Sequence, residues 1–63
     1  LMKFEVGDLI VMGDALFGVV TFSCRFHGVQ HYDVMFFDET LGHIKSLPHY
    51  TIHPVETISK SEK

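Results

Sequence analysis

Residues 18–26 read GVVTFSCRF, so that Val20, Phe22, Cys24 and Phe26 alternate with Val19, Thr21, Ser23 and Arg25. Alternation sustained over that length is the pattern of a strand with one face on a core and the other toward solvent. His27-Gly28 follows as a turn signal, and residues 32–37 (YDVMFF) supply a second run. The sequence therefore predicts one long antiparallel hairpin over 18–37, with Val34 and Phe36 pointing inward. A helix does not fit, because Val, Ile and Phe dominate and no window keeps an apolar stripe of helical period.

The flanking segments extend the same reading. Glycine next to aspartate at Gly7-Asp8 and Gly13-Asp14 marks turns, between which residues 8–12 form a first strand with Leu9 or Ile10 inward. Asp38-Glu39-Thr40 reads as a tight acidic turn and residues 41–46 as a fourth strand with Ile44 inward. Pro48 bars a central strand, so LPHY (47–50) is expected as a 3₁₀ turn before a short last strand over 51–55 that pairs near the first. The expected core is Val6, Leu9 or Ile10, Val20, Phe22, Val34, Phe36, Ile44, Leu47, Ile52 and Val55. Residues 2–55 form the expected domain, and the polar stretch 56–63 is expected to be a disordered tail.

Sixty-three residues make one domain, and a chain of that size buries only about 60% of the surface it exposes when unfolded. A core this small has little interior to spare for a preorganised catalytic site, and a binding role is expected in place of an enzyme. Cys24 is the only cysteine, which rules out an intramolecular disulfide and suits a reducing, cytoplasmic setting. No apolar run approaches the ~20 residues that span a bilayer. Leu1 ahead of Met2 suggests that Met2 is the initiator, and hence a complete short regulatory protein of bacterial or phage type. The formal net charge is −3, with Lys3, Arg25, Lys45, Lys60 and Lys63 opposed by eight carboxylates. A phosphate backbone finds no basic stripe to track, which disfavours nucleic acid as the partner.

Three segments carry a resemblance to a known superfamily. VGDLI (6–10) looks like the first strand of an SH3-like barrel, FGVV (17–20) like the entry to its second, and VMFFDET (34–40) is similar to the third strand and acidic turn of Tudor domains. The resemblance covers residues 4–55 and is to the Tudor and KOW-like branches, with a pattern similar to the Tudor-like tail of UvrD-type helicases. It implies an all-β, five-stranded, strongly bent antiparallel barrel with a 3₁₀ turn before the last strand. It also implies a module that docks on other proteins or on nucleic acid.

Four site chemistries can be weighed on the residues. Phe17, Tyr32, Phe36 and Asp38 are the residues that the Tudor resemblance offers as an aromatic cage for methylated lysine or arginine, but there is no Trp and Phe36 is needed inside. Cys24, His27 and His31 have metal-like spacing, yet residues four apart on a strand are separated by ~13 Å, so only His27 and His31, flanking a turn, remain as weak candidates for zinc or nickel. Cys24 between Phe22 and Phe26 reads as a small buried hydrophobe and not as a nucleophile. No catalytic residue and no cofactor is expected. Protein binding remains, because Phe17, Phe26, Phe37 and Tyr50 cannot all be interior in so small a domain. Phe17, Phe26, Tyr32, Phe37, Asp38 and Tyr50 are the expected partner-binding residues. A rim of Asp14, Asp33, Asp38 and Glu39 suits a larger protein with a basic or apolar surface, and a homodimer seam is the other use of such a face.

Overall fold

The computed structural model describes residues 4–55. Its strands are β1 (Leu9–Met12), β2 (Leu16–Phe26), β3 (Val29–Phe36), β4 (His43–Pro48) and β5 (His53–Pro54), with a 3₁₀ turn at His49–Thr51 between the last two. All strands are antiparallel neighbours in one sheet ordered β4-β3-β2-β1-β5. Among the described residues no pairing between β4 and β5 closes the sheet. The all-β reading holds, as do the 2–3 hairpin and the pairing of the last strand with the first; the 3₁₀ turn precedes the last strand but lies at His49–Thr51, with Leu47 and Pro48, expected within it, ending β4. The expected tail, 56–63, lies outside the described residues.

The hairpin turn is as tight as the sequence suggests. His27 and Gly28 both take positive φ, 52° and 77°, the combination a two-residue hairpin needs to follow the right-handed twist of its strands. Register then decides which side chains are inside. Gly18 faces Phe36 and Val20 faces Val34, but the next pair is Phe22 with Asp33, so Thr21 is an extra residue bulged out of β2. A bulge inverts the phase of everything beyond it.

The core is Phe4, Ile10, Val20, Tyr32, Val34, Phe36 and Ile52, with Met12, Leu16, Leu41, Ile44 and Leu47 packed against it. Four sequence expectations are corrected. Phe22 is 55% exposed because the Thr21 bulge turns it to the outer face. Cys24, in phase with it, is an exposed free thiol and not a buried hydrophobe. Val6 is 64% exposed, since it stands in a turn closed by Asp8 N–H to the Glu5 carbonyl ahead of the first strand. Tyr32, expected at the binding surface, is fully buried, and its hydroxyl accepts the Phe4 backbone N–H at 2.9 Å. Between Leu9 and Ile10 the structure selects Ile10, opposite Gly18 on the inner face. Val55 is only half-buried. Pro48 is tolerated at the end of β4 because that strand is the sheet edge.

Candidate functional site

The outer face of the sheet carries exposed apolar side chains that the core does not use. Paired residues share a face, with Cβ atoms about 4.5–5.5 Å apart. Leu9 faces Val19, Val19 faces Met35, and Met35 faces His43, giving one continuous row across four strands. In the adjacent row His53 faces Val11, Val11 faces Phe17, and Phe37 extends the ladder by donating its N–H to the Phe17 carbonyl at 2.9 Å. Six apolar side chains therefore form a contiguous two-row lattice bounded at its edges by His43 and His53. Four of them, Leu9, Phe17, Met35 and Phe37, are exposed, with Phe37 at 60%.

The lattice has two unlike ends. Toward the hairpin it is interrupted by polar groups: the Thr21 hydroxyl donates to the Asp33 carbonyl at 3.3 Å and lies 2.9 Å from His43 Nε2, while Asp33 Oδ1 accepts the Ser46 N–H. Beyond this break a second exposed group follows, Phe22, Cys24 and Phe26, with Phe26 edge-on to His27 at 4.2 Å and to His31 at 6.0 Å. At the other end the β1–β2 turn brings Asp14, and the segment after β3 brings Asp38 and Glu39. Asp38 Oδ1 accepts both the hydroxyl and the N–H of Thr40, at 2.7 and 2.9 Å. The Thr40 hydroxyl, then its N–H, hold the Asp38 carboxyl below the ordinary aspartate range.

Phe17 and Phe37 thus adjoin on the exposed face, and Asp38 follows Phe37 at the same end of the sheet. Phe26 is exposed but lies past the polar break, and Tyr50, 67% exposed, stands on the 3₁₀ turn off the lattice. Phe17 points outward while Tyr32 and Phe36 are inside, so the four cage candidates do not surround one volume. His31 Nδ1 is 2.9 Å from the Val29 carbonyl, and among the described residues no three His, Cys, Asp or Glu side chains are placed to hold a metal ion. Leu9, Val11, Val19 and Met35 are the surface residues that alternation alone missed. Their signal is present in the sequence: Val19-Val20 and Val34 to Phe37 are apolar in both phases, which a strand needs only when both its faces meet nonpolar groups.

Set beside known proteins, the chain matches no family model, no curated protein and no solved structure.

Proposed function

We propose that this chain is a non-catalytic protein-binding module, an adaptor or inhibitor that docks on a larger protein through the outer face of β1, β2 and β3. The observation that carries the reading is the register that aligns Leu9, Val11, Phe17, Val19, Met35 and Phe37 in two adjoining rows. Contiguous exposed apolar patches on small domains mark interaction sites, whereas singly scattered apolar residues do not. The strand order β4-β3-β2-β1-β5, with a long 2–3 hairpin and a 3₁₀ turn before β5, supports an SH3-like architecture of the Tudor and KOW-like kind. The free thiol of Cys24 suits a reducing cytoplasm, and no helix among the described residues is long and apolar enough to cross a membrane. Arg25 and Lys45 are the cations of residues 4–55, against six carboxylates of the same span, namely Glu5, Asp8, Asp14, Asp33, Asp38 and Glu39. That balance favours protein over polyanion.

The test is site-specific photocross-linking. A benzophenone amino acid at Met35 should trap a partner that the same group at Phe26 does not. Once that partner is identified and purified, Leu9→Ser with Met35→Ser should weaken direct binding by about tenfold or more, with the dichroism spectrum unchanged. Equal binding by the double variant would remove the outer face from the interaction.

A further inference from the structure

Resting on the docking reading, we propose that the occupant of this face is a protein segment that lays aliphatic side chains over Leu9, Val19 and Met35 and ends in an arginine seated at Phe17 and Phe37 against Asp38. The direction comes from topology. Met12 pairs with Leu16 and Gly18 pairs with Phe36, so the turn holding Asp14 and the segment holding Asp38 and Glu39 leave the sheet at the same end. The cations of residues 4–55 are elsewhere: Arg25 is on the hairpin, where its guanidinium donates to the Gly28 carbonyl at 3.3 Å, and Lys45 is on β4. Three carboxylates thus flank one end of an apolar lattice, and complementary charge must come from the partner.

Arginine fits this end better than lysine. Its planar, weakly hydrated guanidinium stacks flat on an exposed aromatic face while its edge donates in a fixed fork, whereas an ammonium is a compact, strongly hydrated point charge with no plane to stack. Phe17 and Phe37 are backbone neighbours, joined by the Phe37 N–H to the Phe17 carbonyl, and each is exposed and able to offer that face. Asp38 offers the acceptor: Thr40 occupies Oδ1 and fixes the carboxylate plane, and Oδ2 takes no hydrogen bond among the described residues. The aliphatic row lies one side-chain step away, since same-face residues such as Phe17 and Val19 are about 6.6 Å apart along a strand.

The probes are four blocked peptides sharing one alternating leucine-serine sequence and ending in arginine, lysine, citrulline or glutamate. Each is titrated into isotope-labelled full-length protein and followed by amide chemical shifts. The arginine peptide should shift Val11, Phe17, Val19, Met35, Phe37 and Asp38. Citrulline, a neutral near-isostere, should bind about five- to tenfold more weakly, lysine should fall between, and glutamate should bind least. Asp38→Asn keeps an Oδ1 for Thr40, so the turn survives, and it should bring arginine and citrulline to within about twofold of each other. Equal binding of arginine and citrulline to the unmodified protein would overturn the arginine assignment while leaving the docking face to the cross-linking test. Shifts confined to the hairpin, or no binding by any peptide at millimolar concentration, overturn it too. So does concentration-dependent dimerisation that perturbs these same amides without peptide, which assigns the face to a second copy.

Discussion

Replacing Tyr32 by Phe removes one oxygen from the centre of the molecule and leaves the packing otherwise intact. The ring is fully buried, stands edge-on to Phe4 with centroids 5.4 Å apart, and accepts the Phe4 N–H across 28 residues of sequence. Phe4 is itself 4% exposed, so its N–H has no water to turn to when the acceptor goes. A buried donor left unpaired costs about 1–3 kcal/mol, more than the net value of an average hydrogen bond. Against a total stability of roughly 3–9 kcal/mol for a chain of this length, that is a large fraction. In a 60–100-residue domain each kcal/mol moves the melting midpoint by about 4–8 °C. The expected result of urea and thermal unfolding is therefore a loss of about 1–3 kcal/mol, a midpoint lower by about 4–24 °C, and an unchanged urea slope. Hydrogen exchange at the Phe4 amide should accelerate by more than at β2 amides. Tyr50→Phe, on an exposed ring, is the control and should stay within about 0.5 kcal/mol. If Tyr32→Phe also stays within that margin, Tyr32 does not staple the first segment to β3, and the assignment of this residue to structure is wrong.

Three further outcomes follow from the geometry. Gly18→Ala should cost about 1–3 kcal/mol, because a Cβ there meets the Met35 carbonyl oxygen at 2.7 Å and Val34 Cγ1 at 2.8 Å; a urea midpoint equal to that of the parent would show that β2 and β3 can part without penalty. Phe22→Ser should change stability by less than about 0.5 kcal/mol, whereas Phe36→Ala should cost about 3–5, and a reversal of that order in chemical unfolding would mean that the Thr21 bulge is misplaced. Because Thr40 depresses the Asp38 pKa in the folded state, the turn gains support above the unfolded aspartate pKa of about 3.9 and loses it as pH falls through the lowered value. Carboxyl-carbon titration by NMR should place Asp38 below a free aspartate and Thr40→Val should move it back up; titration at or above the free value contradicts the hydrogen-bonded turn.

Much of the fold is legible in the sequence because local signals and long-range pairing agree there. His27-Gly28 can take the two positive φ values of a tight hairpin turn, and the phase of Val34 and Phe36 is right because the run around them contains no irregularity that shifts it. The reading fails where pairing alone holds the information. Nothing in VVTFSC marks Thr21 as unpaired, since alternation continues smoothly through it, so Phe22 and Cys24 are assigned to the wrong face. Leu9 and Ile10 are equivalent as text and are separated only by register, which pairs Ile10 with Gly18 and Leu9 with Val19. Tyr32 carries a polar atom and reads as a surface aromatic, but its partner is a backbone N–H 28 residues away. The exposure of Phe17 and Phe37 could be read from the sequence because a small core cannot house every ring. Their neighbours Leu9, Val11, Val19 and Met35 lie in runs that are apolar in both phases, but only register joins them into one surface.

The bulge also links stability to the docking reading. Without the bulge, with Thr21 paired in regular register, Phe22 would continue the inward phase of Val20, and the core would gain a large aromatic. With it, the described residues keep seven buried apolar side chains and leave a comparable set outside, at a size where burial barely offsets chain entropy. Those outer residues contribute little to the isolated domain, yet any partner that covers them binds only the folded state, because the two rows exist only when β1, β2 and β3 are in register. Mass action then stabilises the fold by about 2.7 kcal/mol at a partner concentration one hundred times the Kd, as much as removing the Tyr32 hydroxyl is expected to cost. On the docking reading, a marginal domain built this way would reach its full stability on its target. Rescue of the Tyr32→Phe midpoint by saturating partner, and its absence when Leu9 and Met35 are both serine, is the signature of that coupling.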